Sequence, residues 1–337
     1  MDFGFSVITG HTVHALLTPR KRECVEIVRQ AYLAHHARHS VNPNSYFLRF
    51  PEKPSARIIA LPAYLGDRFN VSGIKWIASY PENVAAGFPR ASAVLILNDY
   101  ETGYPFACLE SSIISAARTA ASAVLGAERL SPEGRRARAV GIVGNGLIAR
   151  YVYDFLIGTG WEIEAVRLFD TRAGESERFR DEVCDASRHR QIEVMPEGDA
   201  LLRSCDLIVL TTVAPRPYIL DGSLLAHNPV VLNLSLRDLA PEILLGSYNI
   251  VDDVDHVMQA NSSPHLAEQL TGNRDFITGT LAGLISGECA IGRDKPVVFS
   301  PFGLGILDLA VGKWIHDLAK ERGDVVAVNG FFHDVTR

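Results

Sequence analysis

The chain lacks a C-x-x-C pair and any histidine pair at zinc spacing. Its cysteines, Cys24, Cys108, Cys184, Cys205 and Cys289, are odd in number and far apart, which excludes a disulfide scaffold and leaves reduced core thiols as the expectation, with no metal site. Charge of one sign is nowhere gathered into a block. Thirty-three Lys+Arg against 39 Asp+Glu give a formal net charge of −6, so no nucleic-acid partner is expected. No run approaches the ~18 apolar residues of a membrane helix, and Asp2 stands where a secretory leader carries positive charge. A cytoplasmic protein with no membrane partner is expected. Internal repeats and low-complexity linkers are missing too, so domains must be read from the order of periodic segments.

What is present is a chain of 337 residues, 47% hydrophobic and 21% charged, long enough for roughly two domains of about 100–200 residues each. Thr18 with Pro19 after it reads as the start of a helix over 18–36, with Val25, Val28, Ala31, Tyr32 and Leu33 on its apolar face. Strand-like runs follow at 46–50, 56–62, 71–80, 93–99 and 104–109, separated by turn residues such as Pro54, Gly66-Asp67 and Thr102-Gly103, which predicts a mostly antiparallel sheet. The Ala/Ser-rich stretch 111–130 predicts a helix leading out of that sheet. Beyond Pro132, buried strands at 139–143, 165–169, 207–211, 229–234 and 250–252 alternate with helices, the pattern of a doubly wound parallel sheet. An amphipathic helix over 304–322 and a strand over 325–332 complete the chain. That strand has no neighbour unless it rejoins the first sheet. The fold class is therefore α/β: a Rossmann doubly wound domain over 119–305, and a discontinuous, mostly antiparallel α+β domain over 1–118 completed by 306–337.

The apolar strand 139–143 runs into Gly144-Asn145-Gly146-Leu147-Ile148-Ala149, a G-x-G-x-x-A that opens a helix. Gly144 permits the tight turn, Gly146 lets backbone approach a pyrophosphate, and Ala149 allows close helix–strand packing. Asp170 ends the next strand, where a carboxylate accepts hydrogen bonds from ribose hydroxyls. That carboxylate repels a 2′-phosphate and so favours NAD over NADP, with Arg167 and Arg172 nearby to blunt the preference. Thr171, beside Asp170, and Thr211-Thr212-Val213, after the fourth strand, join the expected coenzyme-binding set.

Cations in apolar surroundings need anionic partners. Arg57 lies in Ala56-Arg57-Ile58-Ile59-Ala60, Lys75 in Gly73-Ile74-Lys75-Trp76-Ile77, Arg118 among Ala and Ser beside Thr119, and Arg90 just before a strand. Four such cations converging on one cleft suit a substrate with several carboxylates, since Arg offers a bidentate fork and Lys a point charge. Asp238 follows the strand 229–234, where it is either a general base or a helix cap before Pro241. His256 and His265 read as surface or capping residues, and Asp252-Asp253 as a structural or coenzyme-adjacent pair.

The motifs Arg57-Ile58-Ile59-Ala60, Gly73-Ile74-Lys75-Trp76-Ile77, Arg90-Ala91-Ser92, Ile96-Leu97-Asn98-Asp99, Ser111-Ser112, Arg118-Thr119-Ala120-Ala121 and Gly144-x-Gly146 together resemble the ornithine cyclodeaminase/μ-crystallin family, over nearly the whole chain. Asn233 to Asp238 and Val251-Asp252-Asp253 make it most similar to the branch that makes L-2,3-diaminopropionate for siderophores and peptide antibiotics. The resemblance implies an NAD-dependent dehydrogenase acting on a CH–NH bond, assembled as a homodimer through the sheet domain. The implied substrate is N-(2-amino-2-carboxyethyl)-L-glutamate, supplied by a PLP-dependent synthase and hydrolysed oxidatively to diaminopropionate and 2-oxoglutarate. Arg57, Lys75 and Arg118 are implied to hold the amino-acid carboxylate, with Arg90 and Ser92 beside them, and Asp238 to act on water or substrate with Lys75 as a second proton handler. Ser235, and the Ser300-Pro301-Phe302-Gly303 turn through Phe302 and Gly303, are implied to lie near the nicotinamide. Around Asp238 the Leu-Arg-Asp-Leu-Ala-Pro sequence departs from the Gly-Gly-Asp-Cys-Pro-Gly of true ornithine cyclodeaminases. A cyclodeaminase, a ketimine or alanine dehydrogenase, and a non-catalytic NAD(P)H-dependent binding protein remain the alternatives.

Overall fold

The structure is a computed structural model and describes residues 4–333. The chain forms two units, Met1–Arg118 together with Leu304–Arg337, and Thr119–Gly303.

The first unit is built on strands β1 (Phe5–Ile8), β2 (Ser40–Val41), β3 (Tyr46–Phe50), β4 (Lys53–Leu65), β5 (Val71–Ser79), β6 (Ala91–Asp99) and β7 (Pro105–Glu110). The sheet runs from the C-terminal strand Val326–Val328 through β1, β7, β6, β5 and β4 to β2, with β3 also on β4. Its pairs are antiparallel except β1 with β7. Pro54, expected in a turn, is already inside β4.

Alternation fixes the faces of this sheet. Leu65, Val71, Lys75, Leu95, Leu97 and Leu109 are buried, whereas Trp76 and Val94 are exposed. The helix Gly305–Arg322 belongs to the same unit, and a Cβ on its Gly312 would collide with the Leu95 side chain. The pattern of this helix read as amphipathic, yet every residue from Gly305 to Gly312 is buried. Only its second half has a solvated face.

Two helices, Gly10–Leu17 and Lys21–His36, replace the single helix expected from Thr18. Thr9 is the N-cap, accepting from the Thr12 backbone N–H, while the Thr18 hydroxyl donates back to the His14 carbonyl at 2.8 Å. The missed start follows from Val13, Leu16 and Leu17, whose apolar spacing lies ahead of the proline. The tail does rejoin the first sheet, but as three residues: Val328 pairs with Phe5, and Phe331 stacks on the Phe5 ring at 4.0 Å.

The second unit holds β8 (Arg136–Val143), β9 (Glu162–Phe169), β10 (Gln191–Val194), β11 (Leu207–Leu210), β12 (Val230–Asn233), β13 (Tyr248–Val251), β14 (Ile277–Thr280) and β15 (Val297–Ser300). All pairs are parallel, in the order β10-β9-β8-β11-β12-β15-β13-β14. Strands β10, β14 and β15 had no counterpart in the sequence reading. Every residue of β11, β12 and β15 is buried, which contributes roughly 1.5–3 kcal/mol for each large apolar side chain. Strand order reverses between β8 and β11, and open parallel sheets bind ligands at the carboxyl ends flanking such a reversal. All five cysteines are free; Cys24 and Cys205 are buried, but Cys108, Cys184 and Cys289 are only half-buried, so the core-thiol reading holds for two of them.

Candidate active site

In the second unit the turn after β8 is made by Gly144 at φ +85°, where a Cβ would stand 3.0 Å from the Thr211 and Thr212 backbone. Thr211 ties β11 to this turn by donating its hydroxyl to the Gly144 carbonyl at 2.6 Å. Gly146, at the N-cap of the helix Leu147–Gly158, has nothing within 4 Å of where its Cβ would be. The helix therefore presents its free N–H groups beside open space, which suits an anion such as a pyrophosphate. Asp170 sits at the end of β9 and accepts the Asn145 N–H at 2.7 Å and the Arg172 N–H at 2.9 Å. Each carboxylate oxygen keeps a lone pair for a ribose hydroxyl. Asn145 is itself locked, its side-chain oxygen receiving the Ser176 hydroxyl at 2.7 Å. Leu147 and Val213 are exposed large hydrophobics of this unit, Ile148 is half-buried, Thr171 is exposed, and Thr119 is half-buried in the helix Ser112–Leu130. These residues fit a dinucleotide.

Asp238 is fully buried, with no exposed surface. The Thr212 hydroxyl donates to its Oδ1 at 2.6 Å and the Tyr218 hydroxyl to its Oδ2 at 3.1 Å. Burial pushes the Asp238 carboxyl above its ordinary value, while hydrogen bonds from Thr212, Ser235 and Tyr218 pull it back. Burial, and then the charge of Asp238, raise the Tyr218 phenol. Asp238 is not a helix cap: Ala240 holds the N-cap before Pro241. Tyr218 escaped the sequence reading because it follows Ala214-Pro215-Arg216-Pro217, a stretch with no period to read.

Asp252 is buried and its Oδ2 accepts the Gly303 N–H at 2.7 Å, which fixes the turn after β15 at a glycine with φ +98°. His256, expected at the surface or as a cap, is buried and meets the Phe302 ring edge-on at 5.7 Å. Ser235 is buried too, its hydroxyl donating to Asn233 Oδ1. Asp253 caps the helix Val254–Val257.

The first unit holds the other charged centre. Lys75, 2% exposed, donates from Nζ to Asp308 Oδ2 at 2.6 Å and to the Ser115 hydroxyl at 3.2 Å. Arg118 donates from Nε to the other oxygen, Asp308 Oδ1, at 3.2 Å. One fully buried carboxylate thus bridges two cations. Burial lowers the Lys75 ammonium to about 8, against the pull of Asp308, with the positive charge of Arg118 lowering it further. Asp308 was missed, although an aspartate inside the apolar run Ile306-Leu307-Asp308-Leu309-Ala310-Val311 is itself a signal, because a charge there needs a partner.

Arg57 lies on the same sheet face as Lys75, opposite Ser79 in the β4–β5 register. Arg90 donates from Nη1 to the Ser79 hydroxyl at 3.2 Å, and Ser92 is exposed at the start of β6. Among the described residues no group of three His, Cys, Asp or Glu side chains forms a metal cluster.

The model of the ornithine cyclodeaminase/μ-crystallin family matches residues 9–323. N-((2S)-2-amino-2-carboxyethyl)-L-glutamate dehydrogenase of Staphylococcus aureus is 29% identical over 90% of this chain and 92% of its own. The solved structure of Thermococcus litoralis Δ1-pyrroline-2-carboxylate reductase with NADH and L-proline superposes with a TM-score of 0.87 at 22% identity, over 96% of this chain and all of the other. An archaeal alanine dehydrogenase dimer with bound NAD gives 0.86 at 23% identity, over 97% of this chain and all of the other.

Proposed function

The chain belongs to the ornithine cyclodeaminase/μ-crystallin family, and on that premise we propose that it is an NAD-dependent dehydrogenase of N-(2-amino-2-carboxyethyl)-L-glutamate. Substrate, NAD and water give L-2,3-diaminopropionate, 2-oxoglutarate, NADH and a proton. The dinucleotide's chemistry is acceptance of hydride from the glutamyl α-carbon, held by Gly144, Asn145, Gly146, Leu147, Ile148 and Asp170 with the Thr211–Val213 turn. In the first unit Lys75 and Arg118, set by Asp308, hold the α-carboxylate next to the carbon that is oxidised. Arg57 and Arg90 take further carboxylates of a substrate that carries three.

Loss of hydride turns the secondary amine into an imine. Asp238 then takes a proton from water, the hydroxide adds to the imine carbon, and the proton passes to the departing nitrogen as the C–N bond breaks. Burial pushes this carboxyl above its ordinary value, as suits a group that takes and returns a proton, and three hydroxyl groups pull it back. Lys75, with its ammonium lowered to about 8, holds the substrate anion as a cation and is the second group able to move a proton near neutral pH.

The observation that carries the reading is the buried Lys75–Asp308–Arg118 bridge in a chain that also presents a dinucleotide loop. The 29% identity to the staphylococcal dehydrogenase supports the choice of substrate. The proposal includes a homodimer through the outer face of the first sheet, where Trp76 and Val94 are exposed beside an open groove of about 350 Å³ lined by Pro62, Tyr64, Ser72, Ile74 and Asn98. A PLP-dependent synthase is the proposed source of the substrate, for a siderophore or peptide antibiotic pathway. The test is NADH formation with the glutamate conjugate and mass detection of both products. Turnover of ornithine, alanine or a cyclic imine with none of the conjugate overturns it.

A further inference from the structure

Asp238 has no surface of its own on which to meet water. It is fully buried, and both carboxylate oxygens are engaged, Oδ1 by the Thr212 hydroxyl at 2.6 Å and Oδ2 by the Tyr218 hydroxyl at 3.1 Å. A general base needs the proton it takes within hydrogen-bond reach or one bridging group away. What bridges Asp238 to water is then one of its hydrogen-bond partners.

The three hydroxyl partners are not equivalent. Ser235 is itself buried. Thr212 is half-buried; its one hydroxyl proton goes to Asp238, and its oxygen already accepts the Ala214 N–H at 3.3 Å. Tyr218 is 44% exposed, with its hydroxyl end drawn in to the carboxylate. Of the three, it alone is an exposed residue.

The backbone holds this pairing in register. The Tyr218 and Ile219 N–H groups both donate to the Asp238 carbonyl, at 3.1 and 3.0 Å, and Pro215 and Pro217 stiffen the approach to the tyrosine. Burial and the charge of Asp238 keep the phenol protonated. Its proton is directed at Oδ2, and the oxygen keeps a lone pair to accept from a water molecule.

We infer that Tyr218 carries the proton between water and Asp238, the carboxylate being the base and the phenol the group that touches the reacting water. The inference deepens the proposed function and rests on it for the hydrolytic step. As the water oxygen bonds to the carbon of the protonated imine and the C=N π pair moves to nitrogen, the water proton passes to Tyr218 Oη and the phenolic proton to Asp238 Oδ2. Tyr218 ends neutral and Asp238 ends as the acid. The same two transfers in reverse protonate the nitrogen, which departs with the C–N electron pair while the carbinol loses its proton and becomes the carbonyl.

A hydroxyl that only tuned the carboxyl would rank otherwise. The shorter bond from Thr212 pulls harder on Asp238 than that from Tyr218, so tuning alone makes Thr212 the more important of the two.

The experiment compares wild type, Thr212→Val and Tyr218→Phe at saturating NAD, on the glutamate conjugate and on L-alanine, in the first turnover and in steady state. The expected result is that Tyr218→Phe lowers kcat about tenfold or more beyond Thr212→Val. Its first-turnover rate of NADH formation stays at the wild-type value, because hydride leaves before water adds. A loss no larger than that of Thr212→Val, or an equally slowed first turnover, overturns the inference. Should wild type oxidise alanine and not the conjugate, the proposed substrate falls, and the same comparison on alanine, whose imine must also take up water, still decides the relay. Should it oxidise neither, a crystal structure with NAD decides. An ordered water on Tyr218 Oη and none on either Asp238 oxygen sustains the relay; a water seated on Asp238, or none on Tyr218, removes it.

Discussion

Asp308 and Lys75 lie 233 residues apart in the chain and meet at 2.6 Å, both buried. The contact holds together a helix near the end of the chain and a strand near its beginning. It also sets the charge of the lysine, and a change at either partner is legible in two measurements.

Asp308→Asn removes the charge that raises Lys75, so the ammonium falls below about 8. A step that needs the cation then fails at lower pH, and the alkaline limb of kcat/KM moves toward neutrality. An unmoved limb means that Lys75 does not govern it.

The same lysine makes a stability prediction. Its folded value of about 8 lies below the ordinary 10.5, so between these the folded protein binds fewer protons than the unfolded chain, and stability rises with pH through that window. Below about 8 the buried charge is a standing penalty. Asp308→Leu leaves it without its carboxylate and is expected to destabilise the protein by about 3–5 kcal/mol in denaturant titrations at pH 7.

Asp238→Asn is expected to lower turnover by orders of magnitude while NAD binding is retained. Tyr218→Phe removes one of the hydroxyls that pull the Asp238 carboxyl down, so the acid limb of kcat moves to higher pH. A hydrogen bond to a charged group contributes about 1.5–3 kcal/mol, which sets the loss at roughly tenfold or more. A binding protein with no catalysis would register neither change.

Gly144→Ala places a methyl group against the Thr211 and Thr212 backbone at a φ of +85°. Loss of NAD affinity and of thermal stability is expected together, by more than about 1 kcal/mol in the latter. Wild-type dinucleotide affinity in this variant would show that the loop is not the binding turn.

The dimer is tested by Trp76→Glu on the outer sheet face. Sedimentation is expected to show two chains in the wild type and one in the variant.

How much of this was legible depends on what each residue needs from its neighbours in sequence. The G-x-G-x-x-A turn and Asp170 are local, and the apolar flanks of Arg57, Lys75 and Arg118 announce charges that require partners. The partners themselves are distant in sequence. Asp308 lies in a helix whose first half is buried on every side, so no polar face marked it. The strands Gln191–Val194 and Ile277–Thr280 are short and lack a fully buried residue, and they gave no pattern to read.

The order in which the first unit is written along the chain has a consequence for its birth on the ribosome. Lys75 is synthesised long before the aspartate that neutralises it, with the whole of the other unit made in between. The continuous unit is free to fold as it emerges, whereas the interrupted sheet must wait with an uncompensated ammonium in its interior. Nascent chains stalled before residue 308 should therefore yield a protease-resistant second unit beside a first unit that is still open to cleavage.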